Sequence, residues 1–339
     1  MFRKKMLAIL SSALLVLTVT ACGGQSAPAP GASNQGGGSA APSGGAEQKF
    51  LTIATGGSSG PYYTIGGAMA KVYKDKLGYN ASVQSTGASV ENINLIKSKK
   101  ADLAFVMSDV TTFAYEGQEN FKDSGAVKEL RAMAGLYLNY VQIVTLKDRN
   151  IKSVYDLKGK RVGVGAPNSG VEVNARMVLA GHGITYDDIK ADYLSYAEAI
   201  EQLKNNTIDA AFVTSGLPNS TVIDLVTTKD VEIVPVKKED VDKMAAKYPF
   251  FVSAEIPAGV YKNEEVVQTA AIRNILLIRE DLSEEQAYNL TKAFFDEMAA
   301  LQAAHNAAKE IDVKEAGKNL VVPLHPGAEK YYKEVGALD

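Results

Sequence analysis

The sequence predicts an α/β protein of two similar lobes, each a mainly parallel sheet flanked by helices. Two repetitions and one length carry that expectation. A strand, a glycine-rich loop and a helix occur in that order twice, at 50–77 and again at 161–181. The segment Ile96-Lys97-Ser98-Lys99-Lys100-Ala101-Asp102-Leu103-Ala104-Phe105-Val106 reads against Leu203-Lys204-Asn205-Asn206-Thr207-Ile208-Asp209-Ala210-Ala211-Phe212-Val213. Both place a polar helix end before an Asp-x-Ala-Phe-Val strand, and both features recur at a similar offset, which points to duplicated architecture. Strands alternating with helices make parallel sheets covered on both faces. The globular part, roughly 290 residues, is long enough for two lobes.

The chain opens with Arg3, Lys4 and Lys5, an apolar run from Met6 to Val19, and the small residues Thr20 and Ala21 before Cys22. That is a secretory leader over residues 1–22, too short for a stable membrane span. It resembles a bacterial lipoprotein signal, so Cys22, the only cysteine among 339 residues, is expected to carry the lipid. No internal disulfide is possible. Residues 23–48 are almost wholly Gly, Ser, Ala, Pro, Asn and Gln, a composition that cannot bury enough apolar surface to offset the entropy of ordering. They read as a disordered tether. Loss of the three leader cations takes the formal charge from −3 to about −6, spread without basic blocks, which excludes a nucleic-acid partner.

Phe50-Leu51-Thr52-Ile53-Ala54 is the first strand, Thr55 to Gly60 its loop, and Pro61 suits the first turn of a helix. Tyr62, Ile65, Met69, Val72, Tyr73 and Leu77 recur at helical spacing as far as Gly78. A strand at 81–84 leads through Ser85-Thr86-Gly87-Ala88 into another helix start. Val141 to Leu146 and Ala270 to Arg279 are long apolar strands, expected to cross between lobes and act as the hinge. Lobe 1 then comprises residues 49–140 and 277–339, and lobe 2 residues 141–276. A helix from Ser283 to about Lys309 opens with the capping box Ser283-Glu284-Glu285-Gln286 and returns to lobe 1.

The stretch Val162-Gly163-Val164-Gly165-Ala166-Pro167-Asn168-Ser169-Gly170 has the order of a phosphate cradle, but the nucleotide reading fails. A dinucleotide fingerprint needs glycine where Asn168 stands, and a P-loop needs lysine and a hydroxyl where Val171 and Glu172 stand. What survives is a helix start, whose unpaired N–H groups and positive dipole end attract anions. Ser58, Ser59 and Gly60 before Tyr62, and Asn168, Ser169 and Gly170 before Val171 and Glu172, form two such loops. Thr86, Ser89, Asn92 and Asp109 sit at further strand ends, where open α/β sheets bind ligands. Hydrogen bonds to a charged group contribute roughly 1.5–3 kcal/mol each, so a few reach about −8 kcal/mol, near micromolar affinity. The alternative for each loop is structural, with Ser59 and Ser169 capping helices. Tyr62, Tyr63, Tyr137, Tyr140 and Tyr196 are available to line a cleft or to pack.

Nothing in the sequence assembles a catalytic or metal centre. His182, His305 and His325 lie near no nucleophile and lack ligand spacing, which assigns them surface or packing roles. Ser169 lacks the G-x-S-x-G elbow of a hydrolase. The sequence therefore predicts a protein that is not an enzyme and needs no cofactor.

With these features in hand, the chain resembles the solute-binding receptors of the TAXI branch of TRAP transporters. The resemblance rests on Thr55-Gly56-Gly57-Ser58-Ser59-Gly60-Pro61-Tyr62-Tyr63, Ser85-Thr86-Gly87-Ala88-Ser89-Val90-Glu91-Asn92 and Met107-Ser108-Asp109. Asn168-Ser169-Gly170-Val171-Glu172-Val173-Asn174-Ala175, Ile256-Pro257-Ala258-Gly259-Val260-Tyr261, and Leu324-His325-Pro326-Gly327-Ala328 with Tyr331-Tyr332 complete it. It departs at Val171 and Val260, where the family often has threonine. It implies the type II periplasmic-binding-protein fold, with the solute in the interlobe cleft, and an extracytoplasmic, membrane-anchored location. It also implies a small organic anion such as glutamate or a 2-oxo dicarboxylate, and TRAP-type permease subunits as membrane partners. An ABC-importer receptor of the same fold, or a sensor partner presenting ligand to a membrane kinase, stays open.

Overall fold

The computed structural model describes residues 49–339; the leader, Cys22 and the tether lie outside the described residues. The chain starts with β1 (Phe50–Ala54), α1 (Pro61–Leu77), β2 (Asn80–Gln84), α2 (Ser89–Lys97), β3 (Leu103–Met107) and α3 (Ser108–Glu116). A long strand follows, β4 (Leu130–Leu146). The alternation then begins again with β5 (Arg161–Gly163), α4 (Gly170–Gly181), β6 (Lys190–Asp192), α5 (Tyr196–Lys204), β7 (Ala210–Ser215) and α6 (Ser220–Thr228). Next come β8 (Val231–Val234), α7 (Lys238–Ala245), β9 (Phe251–Ile256) and a second long strand, β10 (Val267–Arg279). Helices α8 (Glu284–Asp296), α9 (Met298–Ala304), α10 (Val313–Ala316) and α11 (Pro326–Glu334) end the chain.

The strand order is β2-β1-β3-β10-β4-β7-β5-β6, with β8 on β4 and β9 on β10. Within it lie two parallel triples. β1 runs parallel to β2 and β3, and β5 parallel to β6 and β7. Each triple is built in the same chain order, first strand central, so the repetition read in the letters is a repetition of topology. The whole sheet is mixed, because β10 and β4 run antiparallel to each other and to the triples they join.

Both crossing strands are longer than the apolar runs that signalled them. β4 reaches back from Val141 to Leu130, and β10 starts three residues before Ala270. Polar letters such as Arg131, Asn139 and Arg273 mask the periodicity, since a strand flanked by neighbours on both edges satisfies its backbone whatever side chains it bears. The β4–β10 ladder shifts register between Arg273 and Ile275, a bulge that bends and twists a strand pair. Gly135 lies opposite, and a Cβ there would overlap the Arg273 guanidinium.

One apolar core runs through both triples, joining Val106 and Phe113 to Ile143, Val162, Val178, Phe212 and Ile272. A second lies under α1, α8 and α11, where Met69, Tyr73, Leu290, Phe294 and Tyr332 are buried against Ile53, Phe105 and Leu276. Helix α1 ends at Gly78, whose left-handed backbone (φ 72°) returns its N–H to the Lys74 carbonyl, a role glycine fills without steric cost. The helix expected over 283–309 keeps its capping box at Ser283 and Gln286 but is broken at Glu297 (φ −105°, ψ 22°). No glycine or proline marks the break. It turns α9 so that Leu301 joins the core against α1, tertiary packing overriding good helix formers. No helix among the described residues is long and apolar enough to cross a membrane.

Helix α11 packs so closely on α8 that a Cβ on Gly327 would overlap the Glu284 carbonyl oxygen and lie 2.6 Å from the Tyr288 nitrogen. Backbone cannot yield as a side chain does. Gly327→Ala is therefore expected to destabilise the protein by about 1–3 kcal/mol, read as a lower urea midpoint with an unchanged slope.

Candidate functional site

The carboxyl ends of both parallel triples face one cleft, where open α/β sheets place ligands. Gly56, Gly60, Tyr62, Thr86 and Ala88 line it from the first lobe, Ala166, Ser169, Val171, Ser195 and Tyr196 from the second. Asn139, from β4, and Ser215, at the end of β7, also reach it. About 590 Å³ between these walls is free of protein atoms, its mouth included. No Lys, Arg, Asp or Glu is among the lining residues.

Helix starts converge on that space. Pro61 opens α1 after the extended Gly60, its fixed φ suited to a first turn and its missing N–H no loss there. Ser169 caps α4, its Oγ accepting from the Glu172 N–H at 3.1 Å. Ser195 caps α5 in a full capping box with Glu198. The N–H groups ahead of the first intrahelical bond, and the dipole behind them, give the walls a positive potential without a cationic side chain.

The aromatic side chains are fixed by buried hydrogen bonds. Tyr62 stacks on Phe105 at 5.0 Å and donates its hydroxyl to Asn274 Oδ1 at 2.5 Å, while Asn274 Nδ2 donates to the Tyr137 carbonyl. Burial pushes the Tyr62 hydroxyl well above its ordinary pKa, with Tyr137, Tyr196 and Asp109 adding to the rise; it is a neutral donor at any physiological pH. Tyr196 donates to the Thr214 carbonyl at 2.6 Å, and its ring covers Gly60, 3.5 Å from where a Cβ would stand.

The NMT1-like family matches residues 53–336. This chain is a member of it. The arginine-binding extracellular protein ArtP of Bacillus subtilis (strain 168) is 28% identical over 211 residues, 62% of this chain and 72% of that protein. A solved structure from Bordetella bronchiseptica RB50 superimposes with a TM-score of 0.52 at 20% identity, over 86% of this chain and 90% of the other. PhnD1 from Prochlorococcus marinus (MIT 9301), in complex with methylphosphonate, gives 0.53 at 11% identity, over 86% and 99%. The NMT1-like chain thus has the two-lobed type II fold of the periplasmic binding proteins.

Of the residues singled out from the sequence of this NMT1-like protein, Gly60, Tyr62, Thr86, Ser169 and Val171 line the cleft. Most of the others have partners within the protein. Ser58 is exposed on its turn, and the Ser59 carbonyl accepts from the Ser220 hydroxyl of the second lobe. Ser89 is buried and accepts from the Met107 N–H. Asn92 is buried, donating to the Thr55 and Phe105 carbonyls and accepting from Thr86 Oγ1. Asn168, at φ 60°, turns its carbonyl onto the N–H groups of Val90 and Glu91, so the second lobe caps α2. Gly170 packs against Ser89. Glu172 bonds to Arg176 and the Tyr186 hydroxyl. Asp109 is fully buried against Asn174, and burial raises its pKa to about 7.

Sequence reading missed Asn139 and Ser195 and left Tyr196 between cleft and core, whereas Ser215 stands, as its place at the end of the second Asp-x-Ala-Phe-Val strand suggests, in the lining. Ser195-x-x-Glu198 is a capping box and would have marked that helix start; Asn139 carries no local signal. Of the surface and packing roles expected for the histidines, packing holds for the buried His182 and His325; His305 Nδ1 also accepts from Ala307 N–H and His325 Nδ1 from Gly327 N–H.

Asn92 binds the walls together instead of forming one. Asn92→Ala removes three hydrogen bonds of a buried amide, those to the Thr55 and Phe105 carbonyls and that from the Thr86 hydroxyl, at about 1 kcal/mol or more each. The expected outcome is a loss of roughly 2–5 kcal/mol in denaturant unfolding, with solute affinity of the folded fraction changed far less.

Proposed function

We propose that this protein is an extracytoplasmic solute-binding receptor that captures a small organic anion between its lobes and delivers it to a membrane permease. The observation that carries this reading is a cleft at converging helix starts whose lining holds hydroxyls, amides and two tyrosines but no charged side chain. An anion there meets oriented N–H groups and no carboxylate. A buried guanidinium would be left uncompensated, which costs several kcal/mol, so arginine, the ligand in the name of the Bacillus relative, fits the lining poorly. Glutamate-like or 2-oxo carboxylates fit it better, with Gly60, Tyr62, Thr86, Ser169 and Val171 as the contact set, joined by Ser195 and Tyr196.

Lobe 1 comprises residues 49–140 and 277–339 and lobe 2 residues 141–276, with the hinge in β4 and β10, and ligand bridging both lobes favours closure. A lipid on Cys22 and the tether of residues 23–48 hold the receptor at the membrane. The TAXI-like motifs favour a TRAP-type permease as partner. The ArtP similarity favours a second reading, an ABC importer, and an ATPase encoded beside the receptor gene would decide for it.

Native mass spectrometry of the purified chain, followed by calorimetry with glutamate, 2-oxo dicarboxylates, alkanesulfonates and arginine, tests the solute class. A carboxylate is expected to bind, and Ser169→Leu to weaken it by about tenfold or more. Binding of arginine alone, or of no carboxylate, would sink the reading. In cells, Cys22→Ala is expected to move the protein from the membrane to the soluble fraction and to abolish palmitate labelling.

A further inference from the structure

Asp109 lies in the first turn of α3, behind the first lobe's wall of the cleft, and is completely buried. Its Oδ2 accepts a 2.6 Å hydrogen bond from Nδ2 of Asn174, on α4 of the second lobe. The remaining oxygens of the pair, Asp109 Oδ1 and Asn174 Oδ1, are both buried without a hydrogen-bond partner. A buried acceptor left unpaired is costly, and more so if it belongs to a charged group. The pair holds two such acceptors and lacks one donor. A single proton on Asp109 removes the charge and turns one of its oxygens into a donor, while the other still accepts from Asn174.

No cation stands in for the proton. The charged and titratable groups on the elements around Asp109 include Glu91 and Lys97 on α2, Glu116 on α3 itself, Glu119 just after it, Glu172 and Arg176 on α4, Arg273 and Arg279 on β10, and Tyr62 on α1; Lys97 reaches the Ser124 carbonyl and Arg279 pairs with Asp102 and Asp281. Glu91 accepts from the Gly87 N–H, and Glu116 is exposed. Arg176 is held by Glu119 and Glu172, Arg273 by the Lys318 and Glu315 carbonyls, and Tyr62 donates to Asn274.

We propose that the closed state of this protein carries a proton on Asp109, shared with Asn174, and that the pair is a proton-dependent latch between the lobes. The latch deepens the receptor reading by adding a control on closure. The proton itself rests on the buried pair and needs no solute. Burial raises the Asp109 pKa to about 7, against the opposing pull of the Val110 N–H, the Asn174 amide and its own N–H. A solvated aspartate titrates near ~3.9. The closed state therefore holds a proton, between those two values, that an opened lobe releases. Closure gains as pH falls through 7 and loses the contribution as pH rises above it, the closed-to-open ratio changing about tenfold between pH 8 and pH 6.

The test uses the full chain without added solute, so a failed solute screen leaves it intact. Carbon-13 carboxyl NMR of aspartate-labelled protein follows the titration, with Asp109→Asn identifying the resonance. Small-angle scattering at pH 8 and pH 6 reads closure. The expected result is a midpoint near 7 and a more compact wild type at pH 6. Asp109→Asn, whose amide supplies the missing donor permanently, is expected to be equally compact at both pH values. Should that variant fail to fold, the wild-type titration and scattering decide alone. A midpoint near 4, or a midpoint near 7 with no pH-dependent change in compactness, overturns the latch.

Discussion

Two antiparallel strands hold this molecule together. β4 and β10 pair from Ala271 opposite Tyr140 to Arg279 opposite Leu130, and the parallel triples attach to their outer edges, β3 to β10 and β7 to β4. Neither triple could pair its inner edge without them, and unpaired buried backbone is costly. The bulge at Arg273 and the glycine beside it let that side chain cross the ladder and bind the Glu315 and Lys318 carbonyls, which ties the C-terminal segment to the same place. Asn274, the next residue, holds Tyr62. The site's aromatic wall is therefore fastened to the point where the lobes join.

The pairing explains why several helix starts border one cleft. Two triples facing each other across a common pair of strands aim their carboxyl ends, and so the helix starts that follow them, into one space. Each start contributes a partial positive charge of about half an electron, and several around one cleft act together where one on the surface would be screened. The same convergence brings the lobes into contact. Asn168 caps α2, Arg176 reaches Glu119 at 2.7 Å, and Phe113 meets Phe250 edge-on at 5.5 Å.

Part of the candidate site was legible because helix starts leave local marks. Gly60-Pro61 and Ser169-Gly170 announce their turns in consecutive letters, and both loops border the cleft. The division of labour within each loop was not legible. Ser89 and Asn92 look as suitable for a solute as Ser169 does, and they stand at a strand end as expected. Their side chains point instead to backbone groups of neighbouring strands, which only the packing of α2 on β3 determines. Asn139 was hidden for the opposite reason: it lies in mid-strand, where nothing in the flanking residues separates a cleft-facing position from a core-facing one.

The sequence by itself determined the α/β class, the duplication, the two crossing strands and the loops that open α1 and α4. These follow from apolar periodicity and from glycine, proline and serine chemistry acting over a few neighbouring residues. Tertiary structure decided how far β4 and β10 extend, where the helix after Ser283 breaks, and which hydroxyls and amides reach the cleft. It alone brought Asp109 against Asn174, 65 positions away. Burial and long-range pairing set all of these, and both depend on residues that the local pattern of letters does not place side by side.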